Sequence, residues 1–172
     1  VGLLGALALI ARGFETWVYS RLHEGSPVPA LVAAVGGHLV SAETSLAELA
    51  KQVGNIDLIY EATGAASVSF QALGVLGTNG VFVFTGVPGR KAAISIAADA
   101  LMRDMVLKNQ LVFGTVNAGA DAFAAAAADL AKFRAMWPAQ VASLITGRFA
   151  PGDAPRLLTD DAGGIKNVVS FG

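Results

Sequence analysis

The chain has 172 residues, 54% hydrophobic and 15% charged, which is ample for a packed core and too apolar for a disordered segment. A formal net charge of −1 gives no electrostatic case for nucleic acid or an anionic membrane as partner. With no cysteine and only His23 and His38 as histidines, the chain by itself supplies neither a disulfide framework nor a usual zinc ligand set.

The first apolar run, Val1 to Ala11, is 11 residues long and closed by Arg12, whereas a membrane-spanning helix needs about 20. No basic leader with a small-residue cleavage site precedes it, so a soluble, cytoplasmic protein is the expectation. The run predicts a helix over Gly2 to Arg12 that ends at Gly13 in a left-handed cap, followed by a β-rich segment, Phe14 to Tyr19. A helix that opens on glycine and leads at once into a strand reads as the second half of a strand–GxGxxG–helix–strand unit, whose first strand and first two glycines are not in this chain.

A turn at Glu24-Gly25-Ser26-Pro27 leads to a helix over Val28 to Val35 and a short strand over His38 to Val40. Ser45 with Glu48 three residues later has the form of a capping box opening a helix to Val53. Gly54-Asn55 turns into a buried strand, Ile56 to Glu61. The alternation continues with a helix over Ser67 to Leu76, a turn at Gly77 to Gly80, and a strand at Val81 to Phe84 that is apolar on both faces. A helix over Ala97 to Leu107, a strand over Leu111 to Val116 and an Ala-rich helix over Ala120 to Phe133 follow, and Trp137-Pro138 breaks the last of these before a short helix to Ile145. From Thr146 the character changes, with Pro151, Pro155, the acidic pair Asp160-Asp161 and a last strand over Lys166 to Phe171.

This alternation predicts an α/β fold, an open doubly wound parallel sheet of Rossmann type with helices on both faces, lacking its first strand and carrying a short C-terminal extension. Residues 1–145 are read as a partial dinucleotide-binding domain and 146–172 as a segment that packs back on a catalytic domain outside this chain. The first strand lies mid-sheet in that topology, so its absence is expected to interrupt the sheet and to leave the chain alone poorly stable or rearranged.

Three segments carry a family resemblance. They are Gly13-Phe14-Glu15-Thr16-Trp17-Val18-Tyr19-Ser20-Arg21, Ile56-Asp57-Leu58-Ile59-Tyr60-Glu61-Ala62-Thr63-Gly64, and Met105 to Asn117, which ends in Gly114-Thr115-Val116-Asn117. On these the chain resembles the C-terminal, nucleotide-binding part of zinc-dependent medium-chain dehydrogenases, in particular the glucose dehydrogenase-like sugar dehydrogenases. The resemblance implies oxidation of an aldose at C1 with hydride passing to a nicotinamide cofactor, zinc being held by an N-terminal domain, and a homo-oligomeric assembly.

Candidate cofactor residues follow from residue chemistry and from this resemblance together. The helix opening at Val1, Gly2 and Leu3 offers unpaired N–H groups and a positive dipole end to a pyrophosphate, and Gly2 matches the last fingerprint glycine, which serves close helix–strand packing. An NAD enzyme places Asp or Glu after the second strand, whereas Ser20 and Arg21, with His23 nearby, suit a 2′-phosphate; NADP is therefore favoured, with NAD also possible. Leu22 stands where related enzymes often have a second arginine, and Arg21 as an ordinary solvated loop charge is the alternative.

Ala62-Thr63-Gly64 and Thr85-Gly86-Val87-Pro88 follow buried strands at the ligand-binding edge, where small residues admit the cofactor and Thr hydroxyls add donors or acceptors. For Gly64 a purely turn-making role stands beside direct contact. The resemblance implies that Thr115, Val116 and Asn117 lie along the nicotinamide, that the Asn117 side chain reaches the substrate, and that Lys166 meets the cofactor. Asn117 as a local turn residue and Lys166 as an edge guard are the plain alternatives. Glu61 and Asp57 read as structural, and no residue of the chain is assigned a catalytic role. Another polyol or alcohol dehydrogenase, an inactive binding module, or an assembly domain pairing through Val81 to Phe84 or Leu111 to Val116 are the other readings.

Overall fold

In a computed structural model, the structure describes residues 1–21, 25–89, 93–159 and 163–171; Leu22, His23, Glu24, Asp160 and Asp161 lie outside them. The elements run α1 (Gly2–Ile10), β1 (Trp17–Ser20), α2 (Val28–Ala34), β2 (His38–Ser41), α3 (Leu46–Val53), β3 (Leu58–Glu61), α4 (Ala66–Leu73), β4 (Val81–Phe84), α5 (Ala98–Leu107), β5 (Leu111–Gly114), α6 (Ala120–Met136), α7 (Pro138–Ser143), β6 (Ile145–Phe149), a 3-10 turn at Pro151–Asp153, α8 (Ala154–Thr159) and β7 (Lys166–Val169).

Local chemistry accounts for most boundaries. Gly13, at φ +84°, closes the first helical segment as a left-handed residue. Ser45 caps α3, its hydroxyl accepting the Glu48 N–H at 3.2 Å while the Glu48 carboxylate accepts the Ser45 N–H at 3.1 Å. Asn79 and Asn109 precede β4 and β5 with φ of 57° and 51°, a conformation that Asn tolerates better than other side chains. Pro138 at the first position of α7 ends the long helix as the sequence predicts.

The strands form three sheets, β1-β2, β3-β4-β5 and β6-β7. β3 and β5 both run parallel to β4, which sits between them. The bonds from His38 N–H to Thr16 O and from Ala42 N–H to Ser20 O advance by four residues on both strands, the parallel sense. Removing the first strand from the doubly wound order 3-2-1-4-5-6 leaves a pair and a triplet of neighbours, which is the partition seen for the first five strands. β6 and β7 pair in parallel with a bulge at Thr146. Ile145 therefore opens a strand rather than ending a helix, because its partner is Lys166, too distant in sequence for local periodicity to reveal.

The chain divides into two compact units: one of residues 1–6, 19–21 and 40–118, the other of residues 7–18, 22–39 and 119–172. In the first, Phe82 is fully buried among Ala72, Leu73 and Leu76, with Ile59, Phe70 and Phe84 packed on them. This packing makes β4 the central strand of its sheet. In the second, Leu7, Val35 and Phe133 form the core with Trp137 and Val141 against them. There Arg12 holds Asp129 at 2.9 Å and Lys132 Nζ donates to the Ala11 carbonyl at 2.8 Å.

Candidate functional site: the carboxyl edge of the three-stranded sheet

The register of β3, β4 and β5 aligns Glu61 with Phe84 and Phe84 with Gly114. The residues that follow, Ala62 to Gly64, Thr85 to Val87 and Thr115 to Asn117, therefore leave the sheet at one edge. Helix α1 reaches the same place: a Cβ on Gly2 would lie 3.7 Å from the Ala62 Cβ. Val1 and Gly2 are exposed there, and the Val1 carbonyl accepts the Gly5 N–H at 3.1 Å, which leaves the earlier N–H groups of the first turn without helical partners. Ser20 and Arg21, at the end of β1, belong to this compact unit as well. Of the site residues expected from sequence, only Lys166 falls in the other unit, exposed at the start of β7.

One residue read as structural organises this edge. The Glu61 carbonyl accepts the Thr85 N–H at 2.9 Å, the Thr85 hydroxyl at 2.8 Å and the Gly86 N–H at 3.2 Å. Its side-chain Oε1 accepts the Thr63 N–H and hydroxyl, both at 2.6 Å, and the Gly64 N–H at 3.0 Å. The two strand-end loops thus converge on a single glutamate that is 5% exposed. Burial pushes its carboxyl up, but the donors from Thr63 and Gly64 outweigh that and hold it below its usual value near 4.5. Oε2 is buried without a hydrogen-bond partner among the described residues. The sequence signal was a charged residue ending an apolar strand, which does not show where its oxygens point.

This network revises two expectations. Each Thr hydroxyl has one hydrogen, and Thr63 and Thr85 both give theirs to Glu61, so toward a ligand they keep acceptor capacity only. The tight helix–strand contact belongs to Gly5, where a Cβ would meet the Tyr60 ring at 2.5 Å, while Gly2 has ordinary van der Waals room. Gly64 needs its freedom for packing: φ is +62° and a Cβ would sit 2.7 Å from the Val87 carbonyl oxygen. Gly86 is likewise bare because a Cβ would lie 2.8 Å from both Glu61 Oε2 and Gly64 Cα.

The remaining candidates point outward. Thr115, Val116 and Asn117 are exposed, with the Thr115 N–H bonded to the Phe84 carbonyl at 3.0 Å. The Asn117 side chain makes no hydrogen bond among the described residues, so no local turn holds it. Arg21 is exposed and has no anionic partner among the described residues, and Ser20 Oγ donates to the Arg21 carbonyl at 3.2 Å. A guanidinium unpaired among the described residues, a free helix N-terminus and exposed strand-end loops suit a dinucleotide. Among the described residues no group of three or more His, Cys, Asp or Glu is placed to hold a metal ion, and no helix is long and apolar enough to cross a membrane. A groove of about 760 Å³ bordered by Arg134, Val141, Ile145 and Arg148 lies in the second unit and includes none of the expected site residues.

Parallel strands whose following loops gather at one carboxyl edge, beside a glycine-opened helix, define a Rossmann-type nucleotide-binding fold. Residues 1–171 match the family described as glucose dehydrogenase C-terminus, and the chain belongs to that family. It is 28% identical over 173 residues to a glucose 1-dehydrogenase of Methanocella arvoryzae, covering 100% of this chain and 48% of that protein. It is 39% identical over 131 residues to a glucose 1-dehydrogenase of Thermoproteus tenax, covering 76% and 36%. The fold superposes on Haloferax mediterranei glucose dehydrogenase in complex with NADP, Zn and gluconolactone with a TM-score of 0.82 and 28% identity, covering 99% of this chain and 49% of that one. The chain thus spans about half the length of the first of these relatives, and less of the second.

Proposed function

We propose that this chain is the NADP-binding part of a sugar 1-dehydrogenase that oxidises glucose or a related aldose. The observation that carries the reading is the convergence of three strand-end loops and the α1 N-terminus at one edge, in a chain of the glucose dehydrogenase C-terminus family. When bound, the nicotinamide would supply the acceptor for the hydride of the sugar C1–H bond, with the C1 hydroxyl losing its proton to solvent as the lactone carbonyl forms. The chain's own residues bind and orient. The first-turn N–H groups of Gly2 and Leu3, with Val1 beside them, face the pyrophosphate. Ala62 and Thr63, with Thr85, Gly86 and Val87, form the backbone wall. Thr115 and Val116 lie along the nicotinamide, and Asn117, free of internal bonds, reaches the sugar.

Arg21 selects the nucleotide, because an exposed guanidinium without an anionic partner among the described residues attracts a 2′-phosphate, and no carboxylate stands at Ser20 or Arg21 to bind a free 2′-hydroxyl. Calorimetric titration of the chain with NADP and NAD tests this. Arg21→Ala is expected to weaken NADP binding by about tenfold or more, the range for one charged hydrogen-bonding contact, and to leave NAD binding nearly unchanged. Equal losses for both nucleotides would sink the assignment.

Two further points belong to this reading. Residues 146–172 are the segment that packs on the catalytic part, and within it β7 pairs with β6, which opens at Ile145. Assembly falls to β5: β4 is paired on both sides, whereas β5 has one partner and exposes Leu111 and Phe113. An inactive module of the same fold would bind no nucleotide in the titration above.

A further inference from the structure

Glu61 lies beneath the edge that the cofactor reading assigns to the nucleotide. It is a carboxylate more than nine-tenths buried, with three donors on one oxygen and none on the other. Protonation would weaken the three bonds at Oε1, and the carboxyl is held below its usual value, so the group is an anion. No lysine, arginine or histidine among the described residues lies within ion-pair distance of it. A positioning role alone does not require this charge, since a neutral amide oxygen in place of Oε1 would accept the same donors.

We infer that the Glu61 carboxylate makes this edge favour the oxidised over the reduced nicotinamide cofactor. The inference rests on the cofactor reading above. The nicotinamide ring carries a positive charge when oxidised and none when reduced, while the phosphates are the same in both states. A fixed buried anion therefore acts on the difference between them. Two strand spacings of about 4.8 Å separate β3 from β5, so a ring along Thr115 to Asn117 lies on the order of 10 Å from the carboxylate. At an effective dielectric near 20, a unit charge pair at that distance changes the affinity ratio by about tenfold. Helix dipoles and exposed side chains act too, but the isosteric Glu61→Gln variant removes this one charge and leaves the others in place.

The test is calorimetric titration of the 172-residue chain and of Glu61→Gln with NADP and with NADPH. The expected result is that the ratio of the two dissociation constants shifts toward NADPH in Glu61→Gln by about threefold to tenfold. A purely structural glutamate would weaken both nucleotides together. A ratio unchanged within twofold, with both nucleotides still bound, overturns this inference and leaves the cofactor reading standing. No saturable binding of either nucleotide to the wild-type chain overturns both.

If Glu61→Gln does not unfold cooperatively, the wild type carries the test through linkage: a charge that favours NADP must itself respond to which redox state is bound. In protein labelled with carbon-13 at its Glu carboxyls, the resonance of the buried glutamate is expected to move on exchanging NADP for NADPH more than those of exposed Glu15, Glu43 and Glu48. A resonance that does not move overturns the inference.

Discussion

Glu61 shows how much one side chain can organise when both its backbone and its carboxylate are used. The strand brings its carbonyl to Thr85 and Gly86, and the tight turn after the strand brings Thr63 and Gly64 to its carboxylate. Its folded pKa is depressed, so the stability it adds is complete above the usual value near 4.5 and is lost as pH falls through the lower folded value. Glu61→Gln is therefore expected to be less stable than wild type by roughly 1–2 kcal/mol at pH 7, with the gap closing below about pH 4.5. Urea midpoints at pH 7, 5 and 3 check this, and a gap that widens on acidification would contradict it. The residue type was legible in sequence; the second loop was not, because Thr85 and Gly86, which bond the Glu61 carbonyl, come from a distant segment.

Among the elements, those built on local chemistry were the most legible. Ser45 and Glu48 predict a capping box, and the structure has it with both reciprocal bonds. Ser45→Ala removes the hydroxyl that accepts the Glu48 N–H, and is expected to cost about 1 kcal/mol in urea unfolding; a change within experimental error would mean that water replaces the cap without loss. Strand Val81 to Phe84 was read at its observed limits because an apolar run between Gly80 and Thr85 has sharp ends. Strand β6 was missed for the opposite reason. Its residues include Gly147 and Arg148, weak strand formers by propensity, and it exists because Lys166 to Val169 pair with it.

For the whole molecule, the interrupted sheet and the exposed apolar residues of α5 and β5 bear on assembly. Met102, Val106 and Leu107 on α5, with Leu111 and Phe113 on β5, are between 43% and 75% exposed, more apolar surface than an edge strand facing water normally carries. A dimer through the β5 edge predicts a light-scattering mass of two chains for wild type and of one for Phe113→Lys, because a lysine on an edge strand opposes pairing. A wild-type mass of one chain would remove β5 as the contact.

What the amino-acid order determined by itself was whatever depends on near neighbours and residue type: the α/β alternation, the helix caps, the turns at Gly13 and at Gly77 to Gly80, and the choice of Arg21 rather than an acidic residue after the first strand. Only the tertiary structure decided which of these meet. It gave close helix packing to Gly5 instead of Gly2, turned the Thr63 and Thr85 hydroxyls inward, made β4 central and β5 an edge, and gathered two loops on Glu61. Apart from the Thr63 turn, whose partner Glu61 is two residues away, each of these depends on segments about 20 to 55 residues apart in the chain. Such contacts are chosen by packing, and packing has no local signature in sequence.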